Sequence, residues 1–212
     1  MVFRDRLQAA RLLAERLGAY SGRNALVLAI PRGAVPIGKV VADALAGELD
    51  VVLVRKLGAP GNPEYAIGAV DESGWVHVTP YARAAGADPA YIERQKEVEL
   101  QRIRQRRVQY SPLRPARDPA GRIVIVIDDG LATGSTMIAA LHAVRSRKPS
   151  RLICAVPVAP PATILNVAHD CDEMICLDAP EDFRAVGQFY RDFSQVEDDD
   201  VARILASGAG EE

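Results

Sequence analysis

The stretch IVIVIDDGLATGST, residues 123–136, decides the reading of this chain. Five apolar residues run into two acids, and the acids run into a small, hydroxyl-rich loop. A short apolar run bounded by turn residues is the pattern of a strand buried on both faces. The loop leads into a helix expected over residues 135–147. The free N–H groups at a helix start, backed by the helix dipole, favour an anion. Gly130 and Gly134 permit close backbone approach, and Thr133, Ser135 and Thr136 add hydroxyl donors. The loop is therefore a phosphate cup without a lysine. Two carboxylates beside a phosphate are unfavourable unless a neutral, donor-rich group stands between them. A ribose supplies that group: its vicinal hydroxyls donate to Asp128 and Asp129 while its 5-phosphate fills the cup.

The rest of the chain supplies a setting for this unit. Residues 3–17 have helical apolar spacing. The run NALVLAI, residues 24–30, reads as a buried strand ending at a Pro-Arg-Gly turn, and residues 34–47 as the helix after it. A second buried strand is expected over LDVVLVRK, residues 49–56, and a Gly- and Pro-rich loop over LGAPGNPEY, residues 57–65. A hairpin with its turn at residues 71–74 and a long charged helix over residues 88–110 follow. Residues 112–122 read as a linker. Two more strands are expected at RLICAVPV and EMICL, with a short helix between them at residues 163–168 and a capped helix at the end, DDDVARILA.

Apolar strands alternating with helices indicate an α/β fold: a parallel twisted sheet of about five strands with helices on both faces. Ligands in such sheets sit beyond the carboxyl ends of the strands. That places chemistry at Arg32 and Gly33, at Arg55 and Lys56, at Asp128 and Asp129, and around Pro157 and Val158.

The bulk numbers bound the function. The 212 residues, 49% of them hydrophobic, suffice for one sizeable core. We expect a single domain over residues 1–212, with its core at about 20–158. The net charge of -2 leaves no broad electrostatic footprint for nucleic acid or an anionic membrane. The first 17 residues carry charges throughout, unlike a signal peptide, and no apolar run reaches the ~18 residues of a membrane span. Cys154, Cys171 and Cys176 match no zinc spacing and read as reduced thiols of a cytoplasmic protein. The basic residues of the long helix are interleaved with Glu93, Glu97 and Glu99, the pattern of a solvated helix with internal ion pairs.

A nucleotide hydrolase is the competing reading. GAVPIGK, residues 33–39, fits G-x-x-x-x-G-K between a strand and a helix, and a strand ending in two aspartates suits magnesium. Against it, Val40 stands where a hydroxyl should touch the metal, and Pro36 removes an N–H from the loop.

The 123–136 stretch resembles the phosphoribosyl pyrophosphate (PRPP) signature of type I phosphoribosyltransferases, in residue types, order and strand–loop–helix context. AIPRGAVPIG, residues 29–38, is similar to that family's pyrophosphate loop. Residues 51–70 resemble its next core strand and the start of its mobile catalytic loop. The resemblance spans about residues 24–158 and is closest to stand-alone bacterial members whose acceptor is unassigned.

The resemblance implies transfer of 5-phosphoribosyl from PRPP to a nitrogen nucleophile, a nucleobase, with release of pyrophosphate, as in cytoplasmic nucleotide salvage. A PRPP-binding regulator without turnover is the alternative. In the family's terms, residues 130–136 (Gly130, Leu131, Ala132, Thr133, Gly134, Ser135, Thr136) grip the 5-phosphate. Asp128 and Asp129 hold the ribose and serve catalysis. Arg32, Gly33, Arg55 and Lys56 receive the pyrophosphate. Residues 57–112 supply a mobile loop, hairpin and long helix that exclude water. Residues 171–212 form a small hood. Magnesium is expected on PRPP oxygens and water, with no direct protein ligand. Pro157, Val158, Phe183 and Tyr190 are the candidates for the acceptor side; the cluster of Phe183, Phe189, Tyr190 and Phe193 reads either as core or as a stacking wall. The expected partners are PRPP and a small acceptor, with no nucleic acid or membrane and with a homodimer left open.

Overall fold

In the computed structural model, which describes residues 1–110 and 116–207, the chain forms a five-stranded parallel sheet and a three-stranded antiparallel sheet. The parallel sheet contains β1 (Leu26–Ala29), β2 (Glu48–Val51), β6 (Ile123–Ile127), β7 (Arg151–Val158) and β8 (Glu173–Asp178), in the order β2-β1-β6-β7-β8. The antiparallel sheet contains β3 (Val54–Ala59), β4 (Asn62–Asp71) and β5 (Val76–Val78). Among the described residues six α-helices accompany them: α1 (Arg6–Arg16), α2 (Val35–Ala44), α3 (Pro89–Tyr110), α4 (Ser135–Arg145), α5 (Pro161–Val167) and α6 (Asp198–Ser207).

Alternation along the strands explains the layers. Val27, Ala29, Ile125 and Ile127 face one way and pack with Leu13 of α1 and Ile37 and Val41 of α2. Leu26, Leu28, Val124 and Val126 face the other way and pack with Met137, Leu141 and Val144 of α4. The sheet is thus covered on both faces, as its apolar strands require. Successive strands run outward from β1 in one direction to β2 and in the other to β6. The switch point lies between β1 and β6, where their carboxyl ends open a crevice.

Two expectations need correction. The apolar run at residues 49–56 is not one strand. Val52 N–H makes its bond to Ala29 O, and the chain then bends, so that Val54 pairs with Asp71 in the second sheet. Val52 and Leu53 are 6% and 3% exposed; burial is continuous through the bend, so the run looks unbroken. Arg55 and Lys56 therefore belong to β3, not to a strand end of the core sheet. The Gly- and Pro-rich residues 57–65 are not an irregular loop either. They complete β3 and begin β4, turn at Pro60-Gly61, and shift register on either side of Gly58. Here Gly and Pro mark a bulge and a turn inside a hairpin.

The hairpin turn at residues 71–74 forms as expected. Asp71, fully buried, accepts from Ser73 N–H at 2.8 Å and Trp75 N–H at 3.1 Å through Oδ1. The long helix α3 braces the small sheet: Tyr91 Oη donates to Gly58 O at 2.9 Å. The expected linker begins in residues 111–115, which lie outside the described residues, as do residues 208–212 of the expected hood. Within that hood region, β8 belongs to the core sheet. Residues 183–196 instead fold back over the switch point. They are tied to the chain's start by Phe3 N–H donating to Phe189 O at 2.8 Å and Arg191 N–H donating to Phe3 O at 2.9 Å.

The G-x-x-x-x-G-K match resolves into packing. A Cβ at Gly38 would stand 2.9 Å from Leu49 Cδ1, so the glycine lets α2 lie close on the sheet. Lys39 Nζ pairs with Asp43 at 2.6 Å on the same helix.

Candidate active site

A cavity of about 560 Å³ opens at the switch point. Its floor is the pair of loops leaving β1 and β6: residues 31–33, with a cis Pro31–Arg32 peptide, and residues 128–134. Lys56 of β3 reaches in from the hairpin side. Arg6 of α1 and Val186, Phe193, Gln195 and Val196 form the remaining wall.

The cup is assembled by its neighbours. Leu131 N–H donates to Val158 O at 2.9 Å, and Thr163 Oγ1 of α5 donates to Ala132 O at 2.7 Å. Gly134, the cap of α4, sits at φ 77°, in the left-handed region that favours glycine. Thr133 Oγ1 donates to Ser135 Oγ at 3.3 Å. Thr136 lines the cavity, and its Oγ1 is buried without a protein partner. An unpaired hydroxyl at the start of a helix suits an anion's oxygen.

The two aspartates differ in their surroundings. Both are half-buried. Asp128 Oδ1 accepts from Asp129 N–H at 2.9 Å, and no ion pair closes on this carboxylate among the described residues. Burial first, and the neighbouring Asp129 charge second, push Asp128 well above the usual carboxylate range. Burial also raises Asp129, against the pull of Arg6. Arg6 Nε and Nη2 both donate to Asp129 Oδ2, at 3.1 and 2.9 Å. Tyr190 Oη donates to Asp129 O at 2.7 Å, and burial raises this phenol's pKa.

The cations separate in the same way. Lys56 is exposed toward the cavity and has no ion-pair partner among the described residues. Arg32 lines the cavity while Nη1 contacts Glu197 Oε2 at 2.8 Å. Arg55 does not reach the cavity: its Nε donates to the buried Glu99 of α3 at 2.8 Å.

The structure thus brings Arg32, Gly33, Lys56, Asp128, Asp129 and most of residues 130–136 to one cavity. Ser135 is buried beneath it at 1% exposure. Of the acceptor-side candidates, Pro157 and Val158 are buried in β7, Phe183 packs on Phe189 with centroids 5.1 Å apart, and Tyr190 stacks behind Phe193 at 5.0 Å. Phe193 is the aromatic that faces the cavity. Arg6, Val186, Gln195 and Val196 were not singled out by the sequence. Arg6 in particular looks like a solvated charge in the first turn of an amphipathic helix.

Among the described residues no group of three His, Cys, Asp or Glu side chains is placed to hold a metal, and no helix is long and apolar enough to cross a membrane.

A cup without lysine, an acidic strand end and the cations Arg32 and Lys56 thus meet at one switch-point cavity. Comparison with known proteins gives the class: a family model of the phosphoribosyl transferase domain matches residues 5–194, and the chain belongs to that family. A Mycobacterium tuberculosis protein provisionally named a phosphoribosyl transferase is 42% identical over 212 residues, covering 96% of this chain and 46% of that protein. The chain thus spans about half the length of that relative. The adenine phosphoribosyltransferase of Rhodospirillum centenum is 29% identical over 120 residues, 52% of this chain and 67% of that protein. The crystal structure of the Thermus thermophilus protein TT1426 is similar with a TM-score of 0.83 and 46% identity, covering 99% of this chain and 100% of that one.

Proposed function

We propose that this chain transfers the 5-phosphoribosyl group of PRPP to a nitrogen nucleophile, a nucleobase, releasing pyrophosphate. The supporting observation is the meeting, in one cavity, of the 130–136 cup, the Asp128 carboxylate and the cations Arg32 and Lys56. The relative named adenine phosphoribosyltransferase is consistent with a nucleobase acceptor.

In this reading the 5-phosphate takes the N–H groups at the start of α4 and the hydroxyls of Thr133 and Thr136. The ribose hydroxyls donate to the acidic pair. The bond from the anomeric carbon to the pyrophosphate oxygen breaks, and its electron pair leaves with the pyrophosphate toward Arg32, the Gly33 backbone and Lys56. The acceptor nitrogen's lone pair forms the new C–N bond with inversion, and its proton passes to solvent. Positive charge developing on the sugar ring lies beside Asp128, whose unpaired carboxylate stabilises it. Magnesium, when bound on the substrate's phosphates, neutralises the leaving group's charge. In this reading the β3–β4 hairpin, which carries Lys56, closes over the substrate and excludes water.

Thermal unfolding with magnesium and either PRPP or ATP tests the binding step. PRPP at ~100 times its dissociation constant is expected to add about 2.7 kcal/mol, and ATP much less. Protection by ATP with none by PRPP overturns the reading. Pyrophosphate release across a panel of nucleobases and amines then identifies the acceptor.

A further inference from the structure

The sequence presents Asp128 and Asp129 as a matched pair, but their contacts are not alike. Asp129 Oδ2 is taken by two N–H groups of Arg6 and is pressed against the loop that leaves β1. A Cβ at Gly33 would overlap Asp129 Oδ2 and stand 3.2 Å from Arg6 Nη2. Arg6 is itself held: Nη1 donates to Ser194 O at 2.7 Å, its guanidinium lies 3.9 Å from the centre of the Phe193 ring, and its side chain is 12% exposed. Both N–H groups share the one oxygen Oδ2, in a charge-assisted contact largely shielded from solvent. Both acids line the cavity, but Asp128 meets only a backbone N–H.

We propose that Arg6 is a positioning residue that acts through Asp129 on the residue 31–33 loop, a task that Asp128 does not share. Asp129, locked to Arg6, is a strut that sets the height of Gly33 and with it the loop that meets the pyrophosphate. A shift of about 1 Å in such a loop is enough to cost a large factor in binding or rate. The ligand assignments rest on the function proposed above; the strut itself does not.

The test compares Arg6→Met, Arg6→Lys, Asp128→Asn and Asp129→Asn. Affinities for magnesium pyrophosphate and for ribose 5-phosphate are measured separately by calorimetry. Arg6→Met and Asp129→Asn are each expected to weaken pyrophosphate binding about tenfold, and Arg6→Met to change ribose 5-phosphate binding less than about threefold. Combined, they should fall short of additivity by at least about fivefold, because they remove one interaction. Arg6→Lys should recover part of the loss, and Arg6→Met with Asp128→Asn should be additive. A second arm needs no ligand. Amide exchange in residues 30–35, which include the Val35 N–H bonded to Arg32 O, should speed up at least about fivefold in Arg6→Met and return toward wild type in Arg6→Lys. Unchanged exchange there overturns the strut whether or not the ligands bind. Equal losses for both ligands, or tighter pyrophosphate binding in Arg6→Met, also overturn it. Failure of wild type to bind either ligand, with the exchange result as expected, defeats the proposed function and leaves the strut standing.

Discussion

The indole of Trp75 lies on the imidazole of His142, with ring centroids 3.6 Å apart and planes 10° from parallel. Trp75 leads into β5 of the hairpin sheet, and His142 is on α4, the helix whose first turn forms the cup. Such a stack contributes roughly 0.5–1.5 kcal/mol beyond buried area. The hairpin is therefore tacked to the helix behind the cup, while Lys56 at its other side reaches the cavity. Hydrogen-exchange mass spectrometry should show residues 57–79 slowing when magnesium PRPP binds, together with the amides around Thr133. Trp75→Ala should speed exchange of the same segment in the free protein. Protection of the cup with residues 57–79 unchanged would leave PRPP binding intact and remove the hairpin as the lid.

Asp128 sets a pH dependence whose sign is fixed by its surroundings. Its folded-state pKa is raised by burial and by Asp129, above the ~3.9 of an unfolded chain. Between those two values the folded state holds more protons than the unfolded, so stability falls as pH rises through the window. Asp128→Asn removes that loss while Oδ1 remains an acceptor for Asp129 N–H. We expect the variant to have a flatter pH–stability curve above pH ~4 and a higher Tm than wild type at pH 7. A lower Tm at pH 7 would contradict it.

The cup depends on Gly134 for two reasons. Its φ of 77° strains a side-chain-bearing residue by roughly 1–2 kcal/mol. A Cβ there would also stand 2.7 Å from Val167 Cγ2 and 3.1 Å from Thr163 Cγ2, on the helix that buttresses the cup. Gly134→Ala should lower the Tm and weaken PRPP binding at least about tenfold, a shift of ~1.4 kcal/mol. Binding within twofold of wild type, measured by calorimetry, would show that the phosphate does not use this backbone.

Loss of both acids should separate chemistry from folding. Asp128→Asn with Asp129→Asn is expected to lower transfer by at least ~10²-fold, read as pyrophosphate release, with the fold retained. Unchanged turnover would remove the pair from the mechanism.

What the sequence made legible follows from how local each signal is. The strand, acids, loop and helix of residues 123–145 are contiguous, so the strand–loop–helix unit is legible from their pattern. The break at Val52-Leu53 is not legible, because an apolar run records burial and not which sheet a residue joins. Pro60 and Gly61 announced a bend correctly, but Pro63 inside β4 concealed that the chain on both sides pairs as a hairpin. The aromatic cluster was visible as a cluster. That Phe193 faces the cavity while Phe183 turns to Phe189 is decided by the path of residues 183–196 over the core. Arg6 meets a partner 123 positions away; nothing in its own neighbourhood distinguishes it from Arg11 or Arg16.

That path has a consequence for the order in which the protein is made. A nascent chain extended to Val158 already contains β2, β1, β6 and β7, the cup and both aspartates. It lacks Tyr190, which holds Asp129 O, and Ser194, which holds Arg6. These strands can pair before residue 173 is made, but the cavity is completed only when residues 186–196 reach Arg6 and Asp129. An unfinished chain would thus carry the phosphate cup without a finished cavity around it.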